Sequence, residues 1–133
     1  MGTRYLTCVL DNGSDRSLSV PANPRQALRM TQGSTMLLIL KVVHNDGTPV
    51  ALTAAPVFAI KKTGRQDQAD VLLTSTLAPI RGVNYAVVTI DATATKYMEP
   101  GRFVYDVWLT QDGSRDPIIP YSQFVLEPGL QLP

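Results

Sequence analysis

An alternation of period two constrains this chain more than any other feature. In Arg102-Phe103-Val104-Tyr105-Asp106-Val107-Trp108-Leu109-Thr110, the residues Phe103, Tyr105, Val107 and Leu109 share one face. Val104, Asp106, Trp108 and Thr110 share the other, more polar one. Successive side chains of a strand point to opposite sides, so this pattern predicts a strand with one face buried. Tyr85–Asp91 and Pro56–Lys62 read the same way, with the β-branched and aromatic enrichment that a pleated surface favours. Ser34–His44 is longer and apolar on both faces except at Lys41, which predicts a strand at the centre of its sheet. Val71–Leu77, Ile118–Leu126 and Tyr5–Leu10 complete a set of about seven.

The punctuation fits that set. Asn45-Asp46-Gly47 and Gln111-Asp112-Gly113-Ser114 each follow a strand and supply residues that tolerate the positive φ of tight turns. Pro49, Pro56, Pro79, Pro117 and Pro120 fall where strands begin or where an edge is expected, and there a missing N–H costs little. Helical signals are few. Asn23-Pro24 predicts a turn or two of helix through Arg25–Met30, and Ala92–Met98 predicts one turn between strands. Short strands at this spacing predict an all-β, Greek-key β-sandwich. At 133 residues the chain is one domain's length and can bury a core without cross-links.

Within that domain, residues 1–33 differ from residues 34–133, the expected sandwich. After a first strand, Asp11–Gly33 is polar and broken by Asn12-Gly13, Pro21, Pro24 and Gly33. Two readings are open: a long loop folded over the sandwich, or an arm that docks on a neighbouring subunit. On the second, Arg16, Arg25 and Arg29 set the registry, while Leu18, Val20, Leu28 and Met30 supply apolar contact. Charge is also uneven. Residues 1–33 hold four arginines against two aspartates, whereas residues 98–133 are net acidic, so the two segments are candidates to meet within or between subunits.

Chemistry is sparse. The net charge of +1 provides no general attraction to nucleic acid or anionic membranes, and no run of residues reaches the length of a membrane span. One cysteine, Cys8, lies in an apolar run, and the one histidine, His44, is far from it in sequence, so neither a disulfide nor a Cys–His nucleophile is expected. A zinc site lacks ligands, and Asp67 with Asp70 in a loop reads as solvated carboxylates. No G-x-S-x-G, H-E-x-x-H or phosphate-cradling glycine loop occurs. Lys61-Lys62 with Gly64-Arg65 reads as a solvated hairpin end. The expectation is a protein with no catalytic residues, no cofactor and no metal. Trp108, the single tryptophan, falls on the polar strand face and is the best lone candidate for a partner contact, with packing under a loop as the alternative.

Three stretches in order carry a resemblance. They are Asp46-Gly47-Thr48-Pro49-Val50-Ala51-Leu52-Thr53, then Val57-Phe58-Ala59-Ile60-Lys61-Lys62, then Gly101–Gly113 followed by Ser122-Gln123-Phe124-Val125-Leu126. From Gly33 onward the chain resembles the immunoglobulin-like module of tailed-bacteriophage virion proteins, such as the N-terminal domain of baseplate upper proteins. The resemblance implies a non-enzymatic virion subunit that binds other virion proteins, capsid or tail, in several symmetric copies, with neither nucleic acid nor membrane as partner. It also implies that Gly101, after Pro100, turns a tight corner and that the Tyr105 hydroxyl anchors nearby, like a tyrosine corner. The short chain favours a capsid-decoration or accessory subunit over a tail or baseplate component. A module for host-surface carbohydrate or another receptor is the alternative from a different class.

Overall fold

The computed structural model describes residues 2–10, 26–44, 47–62, 69–80 and 82–129. In chain order these form β1 (Gly2–Leu10), β2 (Leu28–Thr31), β3 (Met36–His44), β4 (Val57–Lys61), β5 (Val71–Thr74), β6 (Thr76–Ile80) and β7 (Val83–Ile90). A single turn of helix, α1 (Ala92–Thr95), leads to β8 (Gly101–Gln111) and β9 (Ser114–Glu127). One sheet has the order β1-β3-β7-β6 and the other β2-β9-β8-β4-β5. The protein is an all-β sandwich, and its core lies between the two sheets.

The period-two runs set which side chains enter that core. Phe103, Tyr105, Val107 and Leu109 of β8 are buried with Phe58 and Ile60 of β4, Leu38 of β3, and Val88 and Ile90 of β7. The Phe58 and Tyr105 rings stack at 5.2 Å between centroids. Each large apolar side chain so buried contributes about 1.5–3 kcal/mol relative to exposure. As expected, β3 lies inside its sheet, between β1 and β7. The β8–β9 hairpin closes through Asp112 and Gly113, at φ 56° and 76°, with Gln111 opposite Ser114. Positive φ at both central positions makes the primed turn that matches strand twist.

Several expectations need correction. Helix was expected through Arg25–Met30, but Leu28–Thr31 form β2, which runs parallel to Phe124–Glu127; Arg25 lies outside the described residues. Pairing with β9 and burial of Leu28 and Met30 outweigh the local Asn-Pro cap signal. The expected strand Val71–Leu77 is two strands in different sheets. It breaks at Ser75, which is buried and whose N–H and Oγ both donate to the Pro56 carbonyl, at 3.0 and 2.7 Å. These two differences turn seven expected strands into nine. Pro79 lies on the edge strand β6. Pro117 and Pro120 lie within β9, upstream of Phe124–Glu127, the stretch that β2 covers among the described residues. The register with β8 also slips there, around Val107. Asp91 caps the one turn of α1, its carboxylate accepting the Ala94 N–H at 3.0 Å.

Candidate functional site

The outer face of the five-stranded sheet carries the site. Along β4, Val57, Ala59 and Lys61 alternate with the core residues Phe58 and Ile60; along β8, Asp106, Trp108 and Thr110 alternate with Tyr105, Val107 and Leu109. Register brings the two sets together, because Ala59 pairs with Asp106 on one side and Leu72 of β5 on the other. With Ala69 and Arg115 these residues line a groove of about 540 Å³. Leu72 at its rim is 67% exposed.

The groove is polar at its floor. Asp106 is only 8% exposed. One carboxylate oxygen, Oδ2, accepts from the Lys61 ammonium at 3.2 Å, while Oδ1 is buried without a hydrogen-bond partner among the described residues. Lys61 was expected in a solvated hairpin end; its side chain is 19% exposed and committed to this ion pair. Trp108 is half-buried, and the Arg115 guanidinium lies over its ring, 4.1 Å from the centroid. Such a cation–π contact contributes about 0.5–1 kcal/mol near a surface and holds the indole in place. At the neighbouring end of the same sheet, Lys62, Arg102, Val104 and Gln123 border a second hollow of about 480 Å³.

The residues expected in a docking arm behave differently. Arg16, Leu18, Val20 and Arg25 lie outside the described residues. Leu28 and Met30 were expected to meet a partner but are 1% and 4% exposed in this chain's own core. The reason is their strand phase: in β2 they alternate with exposed Arg29 and Thr31. Arg29 is available at the surface and forms an ion pair with Glu127. The basic leading and acidic trailing segments therefore meet at this point within one chain.

Two glutamines hold the ends of this segment. The Gln26 N–H donates to Ser122 Oγ at 3.3 Å, and its side-chain amide donates to the Thr7 carbonyl at 2.8 Å. The Tyr105 hydroxyl donates to the Gln26 carbonyl, rather than bonding at the Gly101 corner as expected. Burial pushes the phenol's pKa up. Gln32 donates from its side chain to the carbonyls of Thr95 and Met98, at 3.0 and 2.7 Å, which ties β2 to the end of α1. Nothing in the local sequence marks these glutamines, since each acts on a strand or turn 19 to 96 residues away.

Cys8 is fully buried, and desolvation drives its thiol pKa well above the usual range, which is the environment of a packing residue. His44 closes a turn through its backbone, accepting from the Gly47 N–H and donating to the Thr48 carbonyl; Asn45 and Asp46 lie outside the described residues. So do Gly64, Arg65 and Asp67, while the Asp70 N–H is tied to the Ile60 carbonyl at 2.8 Å. No group of three or more potential metal ligands occurs among the described residues.

Neither a protein-family model nor a curated protein sequence matches the chain. Among solved structures, the fold is similar to the N-terminal domain of phage TP901-1 ORF48, with a TM-score of 0.45 and 13% sequence identity over 96% of this chain and 99% of that one.

Proposed function

We propose that this protein is a non-enzymatic structural subunit of a bacteriophage virion, an immunoglobulin-like block that holds neighbouring virion proteins through its sheet faces and loops. The observation that carries the reading is where the phage-like stretches fall. Val57–Lys61, Gly101–Gln111 and Ser122–Leu126 are separated in sequence but become β4, β8 and part of β9, three adjacent strands of one sheet. Their order and spacing thus belong to one structural unit. The strand orders, four facing five with the chain changing sheets between β1 and β2, β2 and β3, β3 and β4, β5 and β6, and β7 and β8, support the sandwich part of the reading. The parallel pairs β1–β3 and β2–β9 are its departure from a purely antiparallel sandwich.

The finer proposal is capsid decoration, in several symmetric copies. A tail or baseplate position is the second reading, favoured by the kind of module that the sequence resembles. Immunogold labelling of particles made by the virus that encodes the chain tests both. Label on the head supports decoration, and label on the tail tip supports the second reading. Particles that carry no label, with the chain free in the lysate, would overturn the virion assignment.

A further inference from the structure

We propose that the open edge of β5 is a self-pairing surface, on which a second copy of this chain adds its own β5 antiparallel and joins the two five-stranded sheets into one. It would serve as one contact between symmetric copies, yet it is a property of the chain alone and can fail while the virion assignment stands. Among the described residues the two sheets end in β1, β6, β2 and β5. An exposed edge invites pairing, and proteins blunt it with charge, proline or a covering group. On β1 the Gln26 side chain donates to the Thr7 carbonyl, and Arg4 adds a charge. β6 contains Pro79, and β2 contains Arg29. β5, Val71-Leu72-Leu73-Thr74, has neither charge nor proline, and Leu72 is 67% exposed.

Hydrogen-bond phase shows which groups this edge offers. Antiparallel residue pairs alternate between those that exchange main-chain bonds and those that exchange none. The Ser75 N–H donates to the Pro56 carbonyl, so in the register of β5 with β4 the bonded pairs are Leu73 with Phe58 and Val71 with Ile60. Leu72 and Thr74 therefore turn both their N–H and their C=O outward, and neither meets a partner there among the described residues. Asp70 is in the same phase, but its N–H already donates to the Ile60 carbonyl, which ends the free edge. One two-fold register uses the free groups alone. Leu72 of each copy faces Thr74 of the other, which closes four main-chain hydrogen bonds, and Leu73 faces its own counterpart. Centring the pair on Leu72 would oppose Thr74 to the committed Asp70. Centring it on Thr74 would oppose Leu72 to Thr76, which belongs to the other sheet. In the register through Leu73 no charge opposes another within β5. The half-buried Leu73 pair meets on the core side, and the exposed Leu72 pair lies diagonally on the outer side, within side-chain reach. This self-complementarity selects a second copy as the occupant.

Sedimentation velocity of the purified chain between about 10 µM and about 1 mM tests the pairing, because a contact smaller than about 1,200 Å² associates only at high concentration. The expected result is a shift from one chain towards two. Thr74→Pro deletes an outward N–H and no bond to β4, so it should weaken association about tenfold or more while the urea midpoint stays near the parent's. Thr74→Val keeps the N–H and should associate like the parent. Mild oxidation reads the register, with the buried Cys8 left in place. Leu73→Cys should cross-link two chains faster than Leu72→Cys, although Leu72 is the more exposed, because directly opposed residues lie within disulfide reach. A chain that is monomeric throughout, equal association of Thr74→Pro and the parent, or faster cross-linking of Leu72→Cys would each overturn the proposal. So would capture of an added peptide of alternating valine and threonine by a chain that stays monomeric, in favour of a strand donated by another protein.

Discussion

Replacing Leu28 by alanine should destabilise the isolated chain by about 3 kcal/mol, within the range of about 2–5 kcal/mol for a buried Leu→Ala change. Leu28 is 1% exposed and belongs to the cluster that includes Phe58, Tyr105 and Phe124, so little of the cavity can be filled by solvent. The neighbouring change Arg29→Ala is the internal control. Its side chain is 67% exposed, and its ion pair with Glu127 is a surface one, for which about 0–1 kcal/mol is expected. Urea unfolding of both variants followed by circular dichroism measures the difference. With a slope of about 1–3 kcal/mol per molar, the Leu28→Ala midpoint should fall by about 1–3 M, and the Arg29→Ala midpoint by no more than about a third of that shift. If Leu28→Ala melts like the parent, β2 is not part of this chain's core. Leu28 and Met30 would then be free to serve the intersubunit contact that the polar N-terminal segment led us to expect.

Tyr105→Phe removes the donor to the Gln26 carbonyl and should cost about 1–2 kcal/mol, with faster amide exchange along β2 than along β4. Cys8 and Tyr105 both have pKa values raised by burial, so the unfolded chain ionises first as pH rises. Native stability should therefore be full below about pH 8.5 and decline above it, first through Cys8 and then, beyond about pH 10, through Tyr105. Urea midpoints measured across that range in Cys8→Ala should stay flat to the higher pH, and an identical decline in parent and variant would refute the assignment. At the groove, Lys61→Met should cost more than Asp106→Asn, because it strands a buried charge, whereas the amide is neutral and lysine can reach solvent. Equal urea midpoints in the two variants would show that the pair is fully solvated.

The strands whose burial alternates were legible from the residues alone. β4, β7 and β8 each place their apolar phase in the core because one face of each meets the opposite sheet. β2 was not legible. Leu28-Arg29-Met30-Thr31 contains only two apolar residues, and it becomes a strand because Phe124–Glu127 lies beside it. The division at Ser75 was equally hidden, since Thr74-Ser75-Thr76 within Val71–Leu77 is compatible with one continuous strand and gives no sign that the chain changes sheets. Ser75 is buried between two threonines, and this run of three small polar residues in an apolar stretch is the one available signal. The groove was half visible. The strand phase put Asp106 and Trp108 on the outward face, but their meeting with Lys61 and Leu72 depends on the registers of β8 with β4 and of β4 with β5. No local pattern contains a register between distant strands.

The parallel pairing of β2 with β9 also bears on how the chain is made. Leu28 leaves the ribosome 96 residues before its partner Phe124. At about 5–20 residues per second that delay is about 5–20 s, long compared with the microseconds in which a hairpin forms. The Tyr105 hydroxyl can reach the Gln26 carbonyl sooner, but the Ser122 clamp and the β9 ladder arrive only with the last strand. Leu28 and Met30 therefore wait as exposed apolar residues on a nascent chain until Phe124–Glu127 has emerged and the five-stranded sheet can be completed. A short pulse of translation arrest before Phe124 would leave those two residues as the natural handle for a chaperone.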